Sequence, residues 1–164
     1  MKGMAMPAVK GTSLEEWIAI EQSTGVRHEY HGGEVFAMAG GTIRHGQVIS
    51  NLHGRLFSQL DRSPCQPFVG DTVAAITIGD SYVYPDVMVV CGPPLTDETV
   101  ANAITNPTLI VEVLSPTTEA YDRGLKFKRY RSVASLKEIV LVSSDSKDVE
   151  VYRRRDDDRW ELET

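Results

Sequence analysis

Cysteine is scarce: Cys65 and Cys91 are the only two in 164 residues, and neither belongs to a CxxC pair or to a Cys/His cluster with zinc-like spacing. A thiolate metal centre is excluded, and two ordinary reduced thiols are expected. Long apolar runs are missing as well. No stretch approaches the roughly 20 apolar residues of a membrane helix, so no membrane partner is expected. The opening MKGMAMPAVKGTS carries a lysine but lacks the apolar run of roughly 7 residues or more that a secretory signal needs, which implies a cytoplasmic location. Positive charge is also in deficit: 17 Lys and Arg against 23 Asp and Glu leave a net charge of -6. That balance argues against coating nucleic acid through bulk charge, which shows as a basic domain. Two local basic strips remain, Lys126/Lys128/Arg129/Arg131 and Arg153/Arg154/Arg155. Each reads equally well as a solvated face or a charged strand end.

Internal repeats, low-complexity tracts and linkers are absent too, and the length suits one compact domain over residues 1–164. Residues 12–41 read as an N-terminal helix and hairpin, and 42–155 as a core. SLEEWIAIEQST opens with Ser13 three residues before Glu16, a capping box, and Leu14, Trp17 and Ile18 supply its apolar stripe. His31-Gly32-Gly33 suits the turn of a hairpin whose second strand places Glu34, Phe36 and Met38 on one face. From Ile43 to Leu60 the apolar residues Ile49, Leu52, Leu56 and Leu60 recur at helical spacing, with Thr42 as N-cap. PFVGDTVAAITIG, SYVYPDVMVVCG and NPTLIVEVLSP then read as three strands bounded by Gly or Pro, with a surface excursion at PPLTDETVANAITN. A helix from Ala120 to about Val133 and two closing strands, KEIVLVSSD and DVEVYRRR, complete an α/β order.

Chemistry enters through a misplaced charge. In LIVEVL, Leu109, Val111 and Val113 face one side of a sheet while Ile110, Glu112 and Leu114 face the other. Glu112 therefore falls among apolar neighbours on a strand that is covered on both sides. A buried carboxylate requires a hydrogen-bond partner, a cation, a raised pKa or an opening to water. Asp86 stands in a similar position, where YPDVMVV enters the sheet. Adjacent strands could bring the two acids side by side, and a divalent cation between them would remove their repulsion. Mg²⁺, with Mn²⁺ as a substitute, suits a few carboxylate oxygens and several retained waters. Such a site fits phosphodiester hydrolysis.

A lysine would complete it. At about 100° per residue, Phe127, Tyr130 and Ala134 define an apolar helix face centred near Ala134. Lys126 lies about 70° from that centre and Lys128 about 130° away, so Lys126 borders the buried side and Lys128 points to water. Asp122, one turn earlier, could orient the Lys126 ammonium or form a plain surface pair with it. His45 continues the inward stripe of Ile49, Leu52 and Leu56, either as a hydrogen-bonded core residue or as a catalytic one. Glu34 is a candidate third acid. His28, His31 and His53 have weaker claims, because nothing in the sequence places them beside the acids.

The segments YPDVMVV, PTLIVEVLSPTT and YDRGLKFKRYRSVASLKEIVLV, together with HEYHGGEVFAMAGGTIRHGQVISNL, resemble the Uma family of restriction-endonuclease-like proteins within the PD-(D/E)XK nuclease superfamily. The resemblance covers most of the chain. It implies a mixed β-sheet flanked by helices and a Mg²⁺-dependent endonuclease acting on nucleic acid, DNA above all. By the same likeness Asp86, Glu112 and the Val113 carbonyl are metal ligands, and Glu34 and His45 line the cleft. The superfamily's usual lysine, two residues beyond the second acid, is replaced by Leu114, and Lys126 is its natural substitute. A non-catalytic descendant that binds nucleic acid or protein is the alternative. A homodimer is expected on the general ground that soluble oligomers are most often two-fold.

Overall fold

The computed structural model describes residues 9–38, 40–76 and 80–163. The lysine-bearing start at 1–8, Ala39 of the hairpin run and the strand end at 77–79 lie outside them. Among the described residues eleven strands, β1 to β11, form two sheets. The first has five strands: β1 (Val9–Lys10), β3 (Glu34–Ala37), β2 (His28–His31), β6 (Ser81–Val83) and β5 (Ala74–Ile76), in that order and antiparallel throughout. The second runs β11 (Trp160–Glu163), β10 (Val149–Arg154), β9 (Glu138–Ser143), β8 (Leu109–Leu114), β7 (Val87–Cys91) and β4 (Cys65–Val69). It is mixed, with β8 and β9 parallel and every other pair antiparallel.

Local chemistry sets the ends of the two long helices. In α1 (Leu14–Thr24) the capping box forms: the Glu16 N–H donates to Ser13 Oγ at 3.2 Å, and the Ser13 N–H donates to Glu16 Oε2 at 2.7 Å. Gly25, at φ 65°, ends the helix in the left-handed region that glycine tolerates. Trp17 is buried against Tyr30 and Tyr82 of the five-stranded sheet, and its indole N–H donates to the His28 carbonyl at 2.9 Å. In α2 (Ile43–Gln59) Thr42 caps the start by accepting the His45 N–H at 3.1 Å. Its stripe of Val48, Ile49, Leu52 and Leu56 covers Val87, Val111 and Val142 of the six-stranded sheet. The opposite face of that sheet holds the main core, including Met88, Ile110, Leu114, Tyr130 and Ile139.

Several expectations are corrected. The run read as one strand over 67–79 is split between β4 and β5 in different sheets, with Gly70 at φ 75° at the break. The run over 81–92 likewise divides into β6 and β7, because Pro85 has no N–H to continue a ladder. The surface excursion ends in the core: Ala103 and Ile104 are buried, and Ile104 pairs beside Ala74 at the edge of β5. The second helix is short and irregular, running α3 (Glu119–Tyr121), a π-helical turn (Asp122–Lys126) and α4 (Phe127–Tyr130). Ala134 lies beyond it and is exposed, so the buried stripe is Asp122, Lys126 and Tyr130. The arginine run fits one of its two readings, a charged strand end: Arg153 pairs with Glu138 and Glu163, and Arg155 with Glu161. No described helix is long and apolar enough to cross a membrane.

The two thiols are also corrected. The β4–β7 register sets Cys65 directly opposite Cys91, and the two are joined as a disulfide. Their spacing in sequence carries no sign of that register. Protein purified without reductant should therefore show no alkylation of either cysteine when denatured, and alkylation of both after reduction. Reduction should lower stability by about 3.5 kcal/mol, the closure entropy of a loop of this length. Labelling of both thiols without reductant would contradict the pairing.

Candidate active site

The two acids meet where a ladder opens. Val87 pairs with Val111 across β7 and β8, so one further step in that antiparallel register sets Asp86 opposite Glu112. Pro85 ends the ladder there, and side chains take over its hydrogen bonds. Asp86 Oδ2 accepts the Val113 N–H at 2.7 Å, and the Asp86 N–H donates to Glu112 Oε2 at 3.4 Å. The acids are thus adjacent because of backbone register, and the roughly 4.8 Å spacing of neighbouring strands leaves them little freedom to part.

Lys126 reaches the same point from the π-helical turn. Its ammonium lies 2.7 Å from Glu112 Oε1, 3.1 Å from Glu29 Oε1 and 3.6 Å from Asp122 Oδ1. It is 3% exposed, and Glu112 and Glu29 are each 2% exposed. Burial by itself pulls the lysine pKa down, but the surrounding carboxylates, Glu112 first, hold it well above the ordinary value. The ammonium is charged. Burial pushes Glu112 the other way, well above the ordinary carboxyl range, with Lys126 pulling it back. Asp122 is raised for the same reason. Tyr130, itself buried, donates its hydroxyl to Glu112 Oε1. Glu112 is therefore near the end of a ladder yet sealed from water, and partners stabilise it where solvent does not.

His45 approaches from the first turn of α2, with Nε2 3.4 Å from Asp86 Oδ2. The Asp86 hydrogen bond raises its pKa, and a contact with the Val113 backbone adds to this against the effect of burial. Gly41 permits the approach: a Cβ there would fall 2.6 Å from His45 Nδ1. These groups border a cavity of about 180 Å³. Phe36, Ala37 and Met38 of the hairpin, Glu29, Tyr84, Thr117, Thr118, Tyr121 and Asp122 supply its remaining walls.

The structure brings Asp86, Glu112, Lys126 and His45 together, with the Val113 backbone beside Asp86. It does not bring Glu34. That residue shares the inward face of the hairpin with Glu29 and His31, but it lies at the turn end, outside the cavity, and pairs with Lys10 at 3.3 Å. Glu29 holds the position expected for a third acid. The strand period offered the signal, since Glu29, His31 and Phe36 fall on one face once the hairpin register is known. Lys128 points to solvent, as the helix wheel has it. His31, set aside on the sequence, is 4% exposed: its Nε2 is 2.6 Å from the Tyr121 hydroxyl and its Nδ1 3.2 Å from Ser81 Oγ.

The donor set suits a small hard cation. Among the described residues no three carboxylate, imidazole or thiol side chains are grouped so as to hold a metal on their own. Two adjacent carboxylates would leave most of a coordination sphere to water and substrate, as a small divalent cation prefers.

Residues 14–164 match the family described as "Uma2: Putative restriction endonuclease". The uncharacterized protein slr1290 of Synechocystis sp. is 38% identical over 148 residues, covering 90% of this chain and 77% of that protein. A second uncharacterized Synechocystis protein, sll1609, is 31% identical over 159 residues, covering 97% and 90%. A crystal structure from Anabaena variabilis, described as "a putative nuclease belonging to DUF820", superposes with a TM-score of 0.72 at 19% identity, covering 92% of this chain and 83% of that one. Its likeness is one of fold.

Burial holds His31 neutral by lowering its pKa from 6.5 to about 4. A depressed histidine contributes stability that is complete above pH 6.5 and is lost as pH falls toward 4, because the unfolded chain takes the proton first. The stability advantage of the parent over His31→Gln should shrink by about 3 kcal/mol between pH 7.5 and pH 4 in urea titrations. A gap that stays constant with pH would show that His31 is not held neutral.

Proposed function

The chain belongs to the Uma2 family, and on that premise we propose that it is a metal-dependent endonuclease that hydrolyses phosphodiester bonds of nucleic acid, with DNA the expected polymer. One observation carries the reading: backbone register sets Asp86 opposite Glu112, and a buried, charged Lys126 lies 2.7 Å from Glu112. Acid pair and ammonium together are what phosphoryl transfer requires, whereas a fold retained only for binding has no need to bury them.

Asp86, Glu112 and the Val113 carbonyl would hold Mg²⁺ or Mn²⁺, which when bound supplies a Lewis acid at the phosphoryl oxygen and a water of lowered pKa. The residues divide the remaining work. Lys126 places a fixed positive charge where negative charge grows on the phosphoryl group, in a site dry enough for that charge to count. Glu112 must be a carboxylate to act as a ligand; burial holds its pKa well above the ordinary carboxyl range, Lys126 pulls against that, and a bound cation would pull further the same way. His45 and the Val113 N–H hold Asp86 in its orientation. Phe36, Met38 and Tyr84 exclude bulk water from one side.

Purified protein incubated with plasmid and single-stranded DNA plus Mn²⁺ should cleave. Asp86→Ala and Glu112→Ala should abolish cleavage, and Lys126→Ala should slow it roughly 100-fold, the scale of losing one transition-state donor. Cleavage that survives in both acid variants would trace the activity to a contaminant. Tight binding without metal and without cleavage would identify a binding module instead.

A further inference from the structure

Glu29 is a buried acid without a part in the hydrolysis just described, and its hydrogen bonds say what it can and cannot do. Oε1 accepts the Tyr84 backbone N–H at 2.8 Å and faces the Lys126 ammonium at 3.1 Å. Oε2 accepts the Tyr121 hydroxyl at 2.6 Å. Its two oxygens thus take a backbone N–H, a hydroxyl and the ammonium, which ties Lys126 to Tyr121 and to the backbone at Tyr84.

The chain of donors continues outward. Tyr121 has one hydroxyl proton, and having given it to Glu29 it must accept from His31 Nε2, 2.6 Å away. That fixes the imidazole proton on Nε2 and leaves Nδ1 to accept from the Ser81 hydroxyl at 3.2 Å. The neutral state of His31 agrees with this direction. Ser81 is fully buried on β6 and His31 on β2, and the two are cross-strand partners. The relay is therefore anchored in the five-stranded sheet, while Lys126 and Glu112 belong to the other layer.

Lys126 needs such an anchor. It reaches Glu112 from a helical turn on a long, rotamer-rich side chain, and position 114 on the strand itself is leucine. We propose that Ser81, His31, Tyr121 and Glu29 form a positioning relay that aims the Lys126 ammonium at Glu112, making the five-stranded sheet part of the active-site machinery. The inference rests on the nuclease reading for its catalytic consequence, and on hydrogen-bond geometry alone for its effect on Lys126. The Tyr121 ring also lies 5.8 Å from Lys126 Nζ, so Tyr121→Phe keeps the ring contact and removes only the hydroxyl.

Three readouts on Tyr121→Phe and Glu29→Gln test it, with matched circular dichroism as the check on folding. In Mn²⁺-dependent cleavage, kcat should fall roughly tenfold, the scale on which outer-shell hydrogen bonds tune a site, with KM unchanged. Mn²⁺ affinity by calorimetry should stay within about twofold of the parent, since the relay assigns Glu29 to Lys126 and not to the metal. Acylation of Lys126 by a water-soluble acetylating reagent, read by peptide mass spectrometry, should rise severalfold. Unchanged turnover with Lys126 still protected in both variants overturns the relay. A loss of Mn²⁺ affinity that parallels kcat overturns it too, because Glu29 would then act on the metal. Absence of cleavage in every protein, with Lys126 acylation still rising in the variants, overturns the nuclease reading and upholds the relay.

Discussion

The ion pair between Lys126 and Glu112 is the contact on which the arrangement of the site depends. Both groups are almost wholly removed from water. A buried charge is tolerable only when it is paired and hydrogen-bonded, and removing one partner of such a pair typically costs about 3–5 kcal/mol. Neither residue can therefore leave without stranding the other. Glu112 is fixed by its strand, so the helical segment must present Lys126 to it, and Glu29 must come close enough to share the ammonium. Lys126 thereby ties the hairpin sheet to the six-stranded one.

Register explains the second acid. Asp86 owes its position to the step after the Val87–Val111 pair and to Pro85, which ends the ladder and frees the aspartate to accept the Val113 N–H. The backbone that builds the sheet up to Val87 thus builds the site one residue later. The π-helical turn that carries Asp122 and Lys126 makes a similar exchange of regular structure for placement, as such turns often do at functional positions.

Much of this was legible in the residues themselves. The alternation in LIVEVL placed Glu112 on a covered face, and the stripe of α2 aimed His45 toward the end of the sheet, because those periods follow from single elements. Lys126 could be separated from Lys128 even though the helix is irregular, since its buried stripe of Asp122, Lys126 and Tyr130 keeps four-residue steps. What depends on pairing between distant segments was hidden. Glu34 shares its hairpin face with Glu29, and only the second layer decides which end of that face meets the cavity. His31 was passed over for want of Tyr121, 90 residues away. Cys65 and Cys91 became partners through a strand register that no spacing announces.

The most direct test of the account is a crystal structure of the protein soaked in Mn²⁺. The anomalous signal should place one ion among the Asp86 and Glu112 carboxylates and the Val113 carbonyl, with Lys126 still against Glu112 and Glu29 outside the coordination sphere. An ion bound elsewhere, or carboxylates of Asp86 and Glu112 too far apart to share one, would contradict it.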